Sequence, residues 1–345
     1  MRRWIAILAF ALVACTQTTS KPVAAVTPTL TPSSVASPLA SPSMTTDLPL
    51  YALPFNCRIP ISILGQSAQG AFLGVPQGTV YFDPKGAGGY YYDRASSRWL
   101  PVGRAAVSAD GARYAYLEMG QSSDYFVHIV DVASGKDRVI HEQLGPTGLA
   151  FPPGVLDYAP EGIYLYTAFE HLLGGLWLLD PATGSVRQIS PSLFPVAITP
   201  GFVWTEVLNP ADPNPIVTGS SAGTLPNEID RVDLKTGAKT TWLYRPGADL
   251  GLLGFDLAGH PVIDSTRTFI APDPEAEVMI ALDPKTDRMI YKGTLAKALL
   301  GPIADEHGIW FGSGQGIYVF SPVFGLQKIS NQPGFPANGC TGNID

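Results

Sequence analysis

The stretch LWLLDPATGSVRQI, Leu176 to Ile189, decides the fold. Leu176 to Leu179 form an apolar run of strand length without polar alternation, the pattern of a strand covered on both faces. Asp180-Pro181-Ala182-Thr183-Gly184 follows. The aspartate carboxylate can accept backbone N–H groups inside a turn, the proline presets φ at its first corner, and the glycine can take the left-handed conformation that returns the chain. Val186 to Ile189 then runs back as a second strand. One such hairpin occurs in many folds.

The same text recurs. Val130-Asp131-Val132-Ala133-Ser134-Gly135 precedes Val139-Ile140, Val232-Asp233-Leu234-Lys235-Thr236-Gly237 precedes Thr241-Trp242, and Leu282-Asp283-Pro284-Lys285-Thr286-Asp287 precedes Met289-Ile290. Tyr92-Asp93 with Trp99-Leu100, and Phe320-Ser321 with Lys328-Ile329, are weaker copies. Upstream of each hairpin lies a second tight turn between apolar runs, at Gly78, Gly111, Gly162, Gly201, Gly259 and Gly308. Each unit reads strand, tight turn, strand, variable loop, strand, Asp turn, strand. Four antiparallel strands every 40 to 50 residues or so is the pattern of a β-propeller blade. The expectation is an all-β, six-bladed β-propeller of four-stranded antiparallel blades, with seven blades as the alternative count.

The repeat resembles the blades of TolB-type and WD-repeat-like propellers. Val107-Ser108-Ala109-Asp110-Gly111-Ala112-Arg113-Tyr114-Ala115-Tyr116, followed by the Asp131 hairpin, is the nearest copy, and the resemblance covers about residues 57 to 340. No blade ends in the Trp-Asp pair of true WD repeats. The resemblance implies architecture and says little of function, since propellers host many unrelated activities.

The N-terminus, MRRWIAILAFALVACTQTTS, joins two arginines to an apolar run, Trp4 to Val13, too short to span a bilayer. Leu12-Val13-Ala14-Cys15 resembles the bacterial lipobox. That resemblance implies a signal peptide over residues 1–14, a diacylglycerol thioether on Cys15 and further acylation of the new amino terminus. Two or three chains give a stable anchor where one would not. Residues 16–50 are mainly Ser, Thr, Pro and small apolar residues with only Lys21 and Asp47 charged, the composition of an extended tether from the lipidated Cys15 to a propeller at 51–345. The expected location is outside the cytoplasm, on the lipid anchor.

Net charge is −7, 15% of residues are charged, and no basic run or stripe occurs, which argues against nucleic acid as a partner. With Cys15 assigned to lipid, Cys57 and Cys340 remain near the two ends of the domain. A propeller brings its ends together, so a disulfide clasp is expected; two free thiols are the alternative.

No cofactor or metal is expected. His260 and His307 occupy matching tight turns, which for a shared metal site is thin evidence, and Glu170-His171 lacks the helical H-E-x-x-H context of zinc sites. Asp256 to Asp264 brackets a turn with text similar to gluconolactonase and NHL propellers, and Asp233 and Asp283 read as structural turn residues. The tight turns open on one face. On the other face the second turns vary: Asn209 to Asn227 is long and Pro-rich, Ser265 to Ala276 is moderate, and Ala168 to Gly175 carries Glu170 and His171. Insertions on one face mark a binding surface. The candidate polar lining there is Asp157, Tyr158, Glu170, His171, Arg245 and Asp249. The function expected is a monomeric, membrane-anchored binding or scaffold module for a protein, peptide or glycan. A hydrolase or lactonase at the channel mouth is the alternative, resting on Asp157 as one inner-strand carboxylate.

Overall fold

The computed structural model describes residues 48–340 apart from 64, 66, 121–124, 143–153, 168–174, 217–224 and 269–272. β1 (Cys57–Ile63), β2 (Gln69–Val75) and β3 (Thr79–Ala87) belong to the first blade. A short hairpin follows, β4 (Tyr91–Asp93) with β5 (Arg98–Leu100). The second blade has β6 (Arg113–Met119), β7 (Tyr125–Asp131) and β8 (Asp137–Glu142). The third has β9 (Gly154–Ala159), β10 (Gly162–Thr167), β11 (Gly175–Leu179) and β12 (Val186–Ser190). The fourth has β13 (Pro195–Thr199), β14 (Phe202–Val207), β15 (Glu228–Asp233) and β16 (Lys239–Tyr244). The fifth has β17 (Asp249–Phe255), β18 (Pro261–Thr266), β19 (Glu277–Asp283) and β20 (Thr286–Lys292). The sixth has β21 (Leu300–Asp305), β22 (Gly308–Ser313), β23 (Gly316–Ser321) and β24 (Gly325–Ser330), and β25 (Phe335–Pro336) ends the series. This is the six-bladed antiparallel propeller that the repeat implies. Among the described residues no helix is long and apolar enough to cross a membrane.

The repeated turn works as its chemistry suggests. The Asp180 carboxylate accepts the Ala182 N–H at 2.8 Å and the Thr183 hydroxyl at 2.7 Å; Asp131 accepts the Ser134 N–H and hydroxyl; Asp233 accepts the N–H groups of Lys235 and Thr236. Gly135, Gly184 and Gly237 close these turns at φ of 69°, 82° and 71°. Hydrogen bonding holds the carboxyls of Asp131, Asp180, Asp233 and Asp283 below the usual range, with the side-chain hydroxyl the main cause at 131, 180 and 283 and the Thr236 N–H at 233.

Each seam between blades has its own apolar core. Ile129, Ile163 and Trp177 meet between the second and third blades, Leu176 and Val203 between the third and fourth, and Ile229, Leu250 and Met279 between the fourth and fifth. Val278, Phe311 and Tyr318 join the fifth and sixth. Ile59, Ile61 and Leu73 meet Trp310 and Val319 between the sixth and first.

Three details correct the expected strand plan. The stretch Ile59 to Ile63 reads as a strand latching onto the last blade; instead β1 pairs along its length with β2 and, through Ser62 and Ile61, with β25. It faces the sixth blade by side-chain packing, and the C-terminal β25 takes the inner position of the first blade. The Asp93 hairpin reads as the outer half of the first blade; instead β4 and β5 form their own sheet, because both edges of β2 are already taken by β1 and β3. Its Tyr92 and Trp99 rings cluster with Phe72, while Tyr91 and Leu100 pack on Val107 and Val132. Gly70 makes room for this wedge, since a Cβ there would lie 2.4 Å from the Trp99 ring. Finally, the second blade has three strands, its inner strand reduced to a bridge from Val107 to Tyr114.

Cys57 and Cys340 are joined by a disulfide with Cα atoms 5.6 Å apart. Asp305 supports the clasp, accepting the Cys340 N–H at 2.7 Å and the Trp310 indole N–H at 2.8 Å.

Candidate functional site

In an antiparallel blade the loop between the second and third strands opens at the same end as the connection into the next blade. The Asn209–Asn227 loop and Asp249, the first residue of the fifth blade's inner strand, therefore share one face. The flanks of that loop are fixed by side-chain bonds. The Asn227 Oδ1 accepts the Asn209 N–H at 2.7 Å, the Asn209 amide donates to Glu228 at 2.6 Å, and Asp212 accepts the N–H groups of Asn214 and Gly247 at 2.8 and 2.9 Å. The Asn227 amide also donates to Asp212. Arg245 N–H donates to the Asn227 carbonyl and Leu250 N–H to that of Pro226, which ties the loop to the connection leading into Asp249. Below it, Glu228 and Asp230 are buried on β15 and both reach Lys239, at 3.3 and 2.5 Å. Burial raises the Asp230 carboxyl, with Lys239 opposing.

Asp249 is one of three carboxyls gathered at the seam between the fourth and fifth blades. Glu206 reaches from β14 to accept the Leu252 N–H of β17 at 2.7 Å. Asp264, on β18, lies over Gly251 so closely that a Cβ there would stand 2.4 Å from its Oδ1. Burial is the main cause that pushes Glu206 up to about 7, with the Leu252 N–H opposing and the charges of Asp264 and Asp249 adding. Burial and then Asp249 push Asp264 up to about 6. Asp249 is raised by burial, with the Lys297 ammonium opposing. Three half-buried carboxyls, with Asp249 raising Asp264 and both raising Glu206, form a patch that gains from any cation or hydrogen-bond donor brought to it.

The other residues singled out in the sequence lie apart from this trio. Asp157 sits in the inner strand β9, where burial pushes it up to about 6 while Arg104 opposes and Glu161 adds. Tyr158 is buried in the core between the second and third blades. Arg245 lies beyond the outer strand β16 and pairs with Glu277 and, at 2.9 Å, with Asp287 of the fifth blade. Glu170 and His171 lie outside the described residues. Glu206 and Asp264 are absent from the sequence-derived lining. Each is the single carboxylate inside a short apolar strand, FVWTEV and PVIDST, and that isolation is the signal that could have found them.

His260 bonds within its own turn to Asp256 at 2.9 Å, and His307 stacks on Phe55, so each matching turn histidine has its own local partner. Among the described residues Asp305, His307 and Cys340 alone stand close enough to hold a metal ion together. The Cys340 sulfur is consumed in the disulfide and both Asp305 oxygens already accept N–H donors, so the group does not fit a metal.

No protein-family model and no curated protein sequence matches the chain. Among solved structures it is similar to TolB from Acinetobacter baumannii, at 14% identity over 81% of this chain and 62% of that one, TM-score 0.38. It is similar to an acylaminoacyl peptidase from Pyrococcus horikoshii, at 10% identity over 63% of this chain and 37% of the other, TM-score 0.39. It is also similar to Porphyromonas gingivalis dipeptidyl peptidase 4, at 10% identity over 78% and 46%, TM-score 0.39. The chain spans less than two thirds of the length of each of these proteins. It is a six-bladed β-propeller with TolB among its structural neighbours.

Proposed function

We propose that this protein is a lipid-anchored, extracytoplasmic binding module that holds a partner on its loop-rich face. The observation that carries the reading is the Glu206, Asp249 and Asp264 trio beside a loop whose flanks are fixed by Asn209, Asp212 and Asn227. A rigid rim next to under-neutralised carboxyls suits a ligand that donates hydrogen bonds or carries positive charge, such as a basic segment of an envelope protein. The Cys15 lipobox and the Ser/Thr/Pro-rich tether supply the anchor in this reading.

The test is capture from the native envelope by the lipidated protein. Two folded variants are compared with wild type: one with the Asn209–Asn227 loop shortened, one with Asp249→Asn and Asp264→Asn. Loss of the same partner by both supports the reading. Full capture by both, with loss on changing the tight-turn face, would reverse the assignment of the face.

A further inference from the structure

Arg231, on the third strand of the fourth blade, is clamped between aromatic rings from the two strands beside it. Its guanidinium carbon lies 4.3 Å from the centre of the Phe202 ring on β14 and 4.4 Å from that of Trp242 on β16. Phe202 opens its strand next to the tight turn at Gly201. Trp242 is the extra residue of a bulge, since Ile229 pairs with Leu243 and Asp230 with Thr241. The Trp242 indole N–H donates to the Ala281 carbonyl of the fifth blade at 3.1 Å. Trp204 stands edge-on to Trp242 at 5.2 Å and donates to the Thr199 hydroxyl at 2.9 Å. Bonds to two blades therefore set the clamp in advance of any ligand. Arg58 and Arg104 also lie over rings, but each over one, at 5.3 and 5.6 Å.

The clamp holds a donor without an acceptor. The half-buried Arg231 guanidinium makes no hydrogen bond and no ion pair with any described residue. Asp233 lies two residues along on the same side of β15, and its carboxylate turns into its own turn, accepting the N–H groups of Lys235 and Thr236 at 2.9 and 2.7 Å. Asp233 keeps its charge, so the place is no general attractor of anions. What it lacks is a hydrogen-bond acceptor in the plane of the guanidinium. Along β14, Phe202, Trp204 and Glu206 follow one another on one side, so Trp204 stands between Arg231 and the carboxyl trio. Glu206 accepts the Leu252 N–H, and the charges that act on it are those of Asp264 and Asp249.

We propose that Arg231 is a binding site for a single carboxylate carried by a partner protein. With a ring over each face, a ligand can approach only in the plane, through the N–H edge, where a planar carboxylate makes two parallel hydrogen bonds. The rings keep water from both faces and hold the side chain in place, so little freedom is lost on binding. A singly charged carboxylate meets less repulsion from Asp233 than a doubly charged phosphate would. A sugar acid would need partners for its hydroxyls, and both indole N–H groups of the cluster are already used. Arginine set among tryptophans is the composition of protein–protein hot spots. The site lies toward the tight-turn end of the seam and does not depend on the loop-face reading.

The test uses NMR of the full chain with isotope-labelled arginine, read at the Nε–H resonance of Arg231, which is assigned by its loss in Arg231→Lys. Two probes carry the carboxylate in its two protein forms: acetyl-Leu-Glu-Leu-amide on a side chain, and acetyl-Leu-Gln-Leu with a free terminus. Acetyl-Leu-Gln-Leu-amide is the neutral control. At least one carboxylate peptide is expected to shift the Arg231 resonance saturably, with a Kd on the order of 10 mM, and at least fivefold more tightly than the control; the tighter of the two identifies the source. Trp242→Leu should weaken binding about three- to tenfold although the charge remains, and Phe202→Leu should do the same from the other face. Melting temperatures show which variants are folded. Asp249→Asn combined with Asp264→Asn should leave the affinity unchanged, which separates this site from the loop-face reading. Absence of a saturable shift up to about 100 mM, equal binding of the neutral peptide, or unchanged affinity in a folded ring variant would overturn the proposal. Tighter binding of glucuronate or inorganic phosphate than of either carboxylate peptide would also overturn it.

Discussion

Replacing Glu206 by Gln tests whether the carboxyl trio is held at the expense of stability. Gln keeps the acceptor for the Leu252 N–H and removes the titration. In the folded protein the Glu206 carboxyl titrates at about 7, against an ordinary value of 4.5. A raised carboxyl binds its proton more tightly in the folded state than in the unfolded one. Stability is therefore highest below the unfolded value, falls as pH rises from about 4.5 to 7, and stays at its lower level above that. The shift corresponds to roughly 3 kcal/mol as an upper figure, since one pKa unit is about 1.4 kcal/mol. Thermal melts of wild type and Glu206→Gln should coincide near pH 4. They should separate through pH 5 and 6, with the variant more stable by about 2–3 kcal/mol at pH 8, or roughly 5–10 °C for a domain of this size. On the proposed function the same variant should bind a loop-face partner less well at pH 8, because a charge has been lost from the carboxyl trio. Gain of stability with loss of binding is the signature of a site kept strained for function. A difference between the two melts that stays flat from pH 4 to pH 8, or a variant less stable at pH 8, would refute the reasoning.

Reduction of the Cys57–Cys340 disulfide should lower stability by roughly 4–5 kcal/mol in the chain-entropy model without loss of β-structure, because the closed loop is long; melts with and without reductant, followed by circular dichroism, check this. Gly70→Ala should destabilise by about 1–3 kcal/mol by driving a methyl into the Trp99 ring, and Gly70→Ala combined with Trp99→Leu should recover part of that loss in chemical denaturation. Cys15→Ser should abolish lipid labelling and release the protein from membranes; unchanged membrane association would remove the anchor from the proposed function.

The turns were legible because their chemistry is local. Asp180, Thr183 and Gly184 fix one another within five residues, and the same grammar at Asp131 and Asp233 produced the blade count. Ring closure was not legible in detail. Whether Ile59–Ile63 pairs with the first blade or the last depends on β25, more than 270 residues away, and no periodicity encodes that choice. The hairpin at Asp93 carried the correct turn and still formed a separate sheet, because sheet membership is decided by which edges remain free. Asp249 was found as part of the polar lining of the loop-rich face. Glu206 and Asp264 were missed because a carboxylate inside a strand reads as an ordinary polar position until the neighbouring blade is laid against it.

The inner strand of the first blade comes from β25, and this sets an order of events during synthesis. A chain emerging amino end first exposes β1, β2 and β3 before any other blade, yet β1 has a bare inner edge until Phe335 and Pro336 appear. Through almost the whole of translation the ring is an open arc, with Ile59 and Ile61 waiting for Trp310 and Val319. The first module made is thus the last completed, and Phe335, Pro336 and Cys340 decide whether the ring closes. A chain that stops after Ser330 retains all six repeats and still leaves both an unpaired strand edge and an unpaired Cys57.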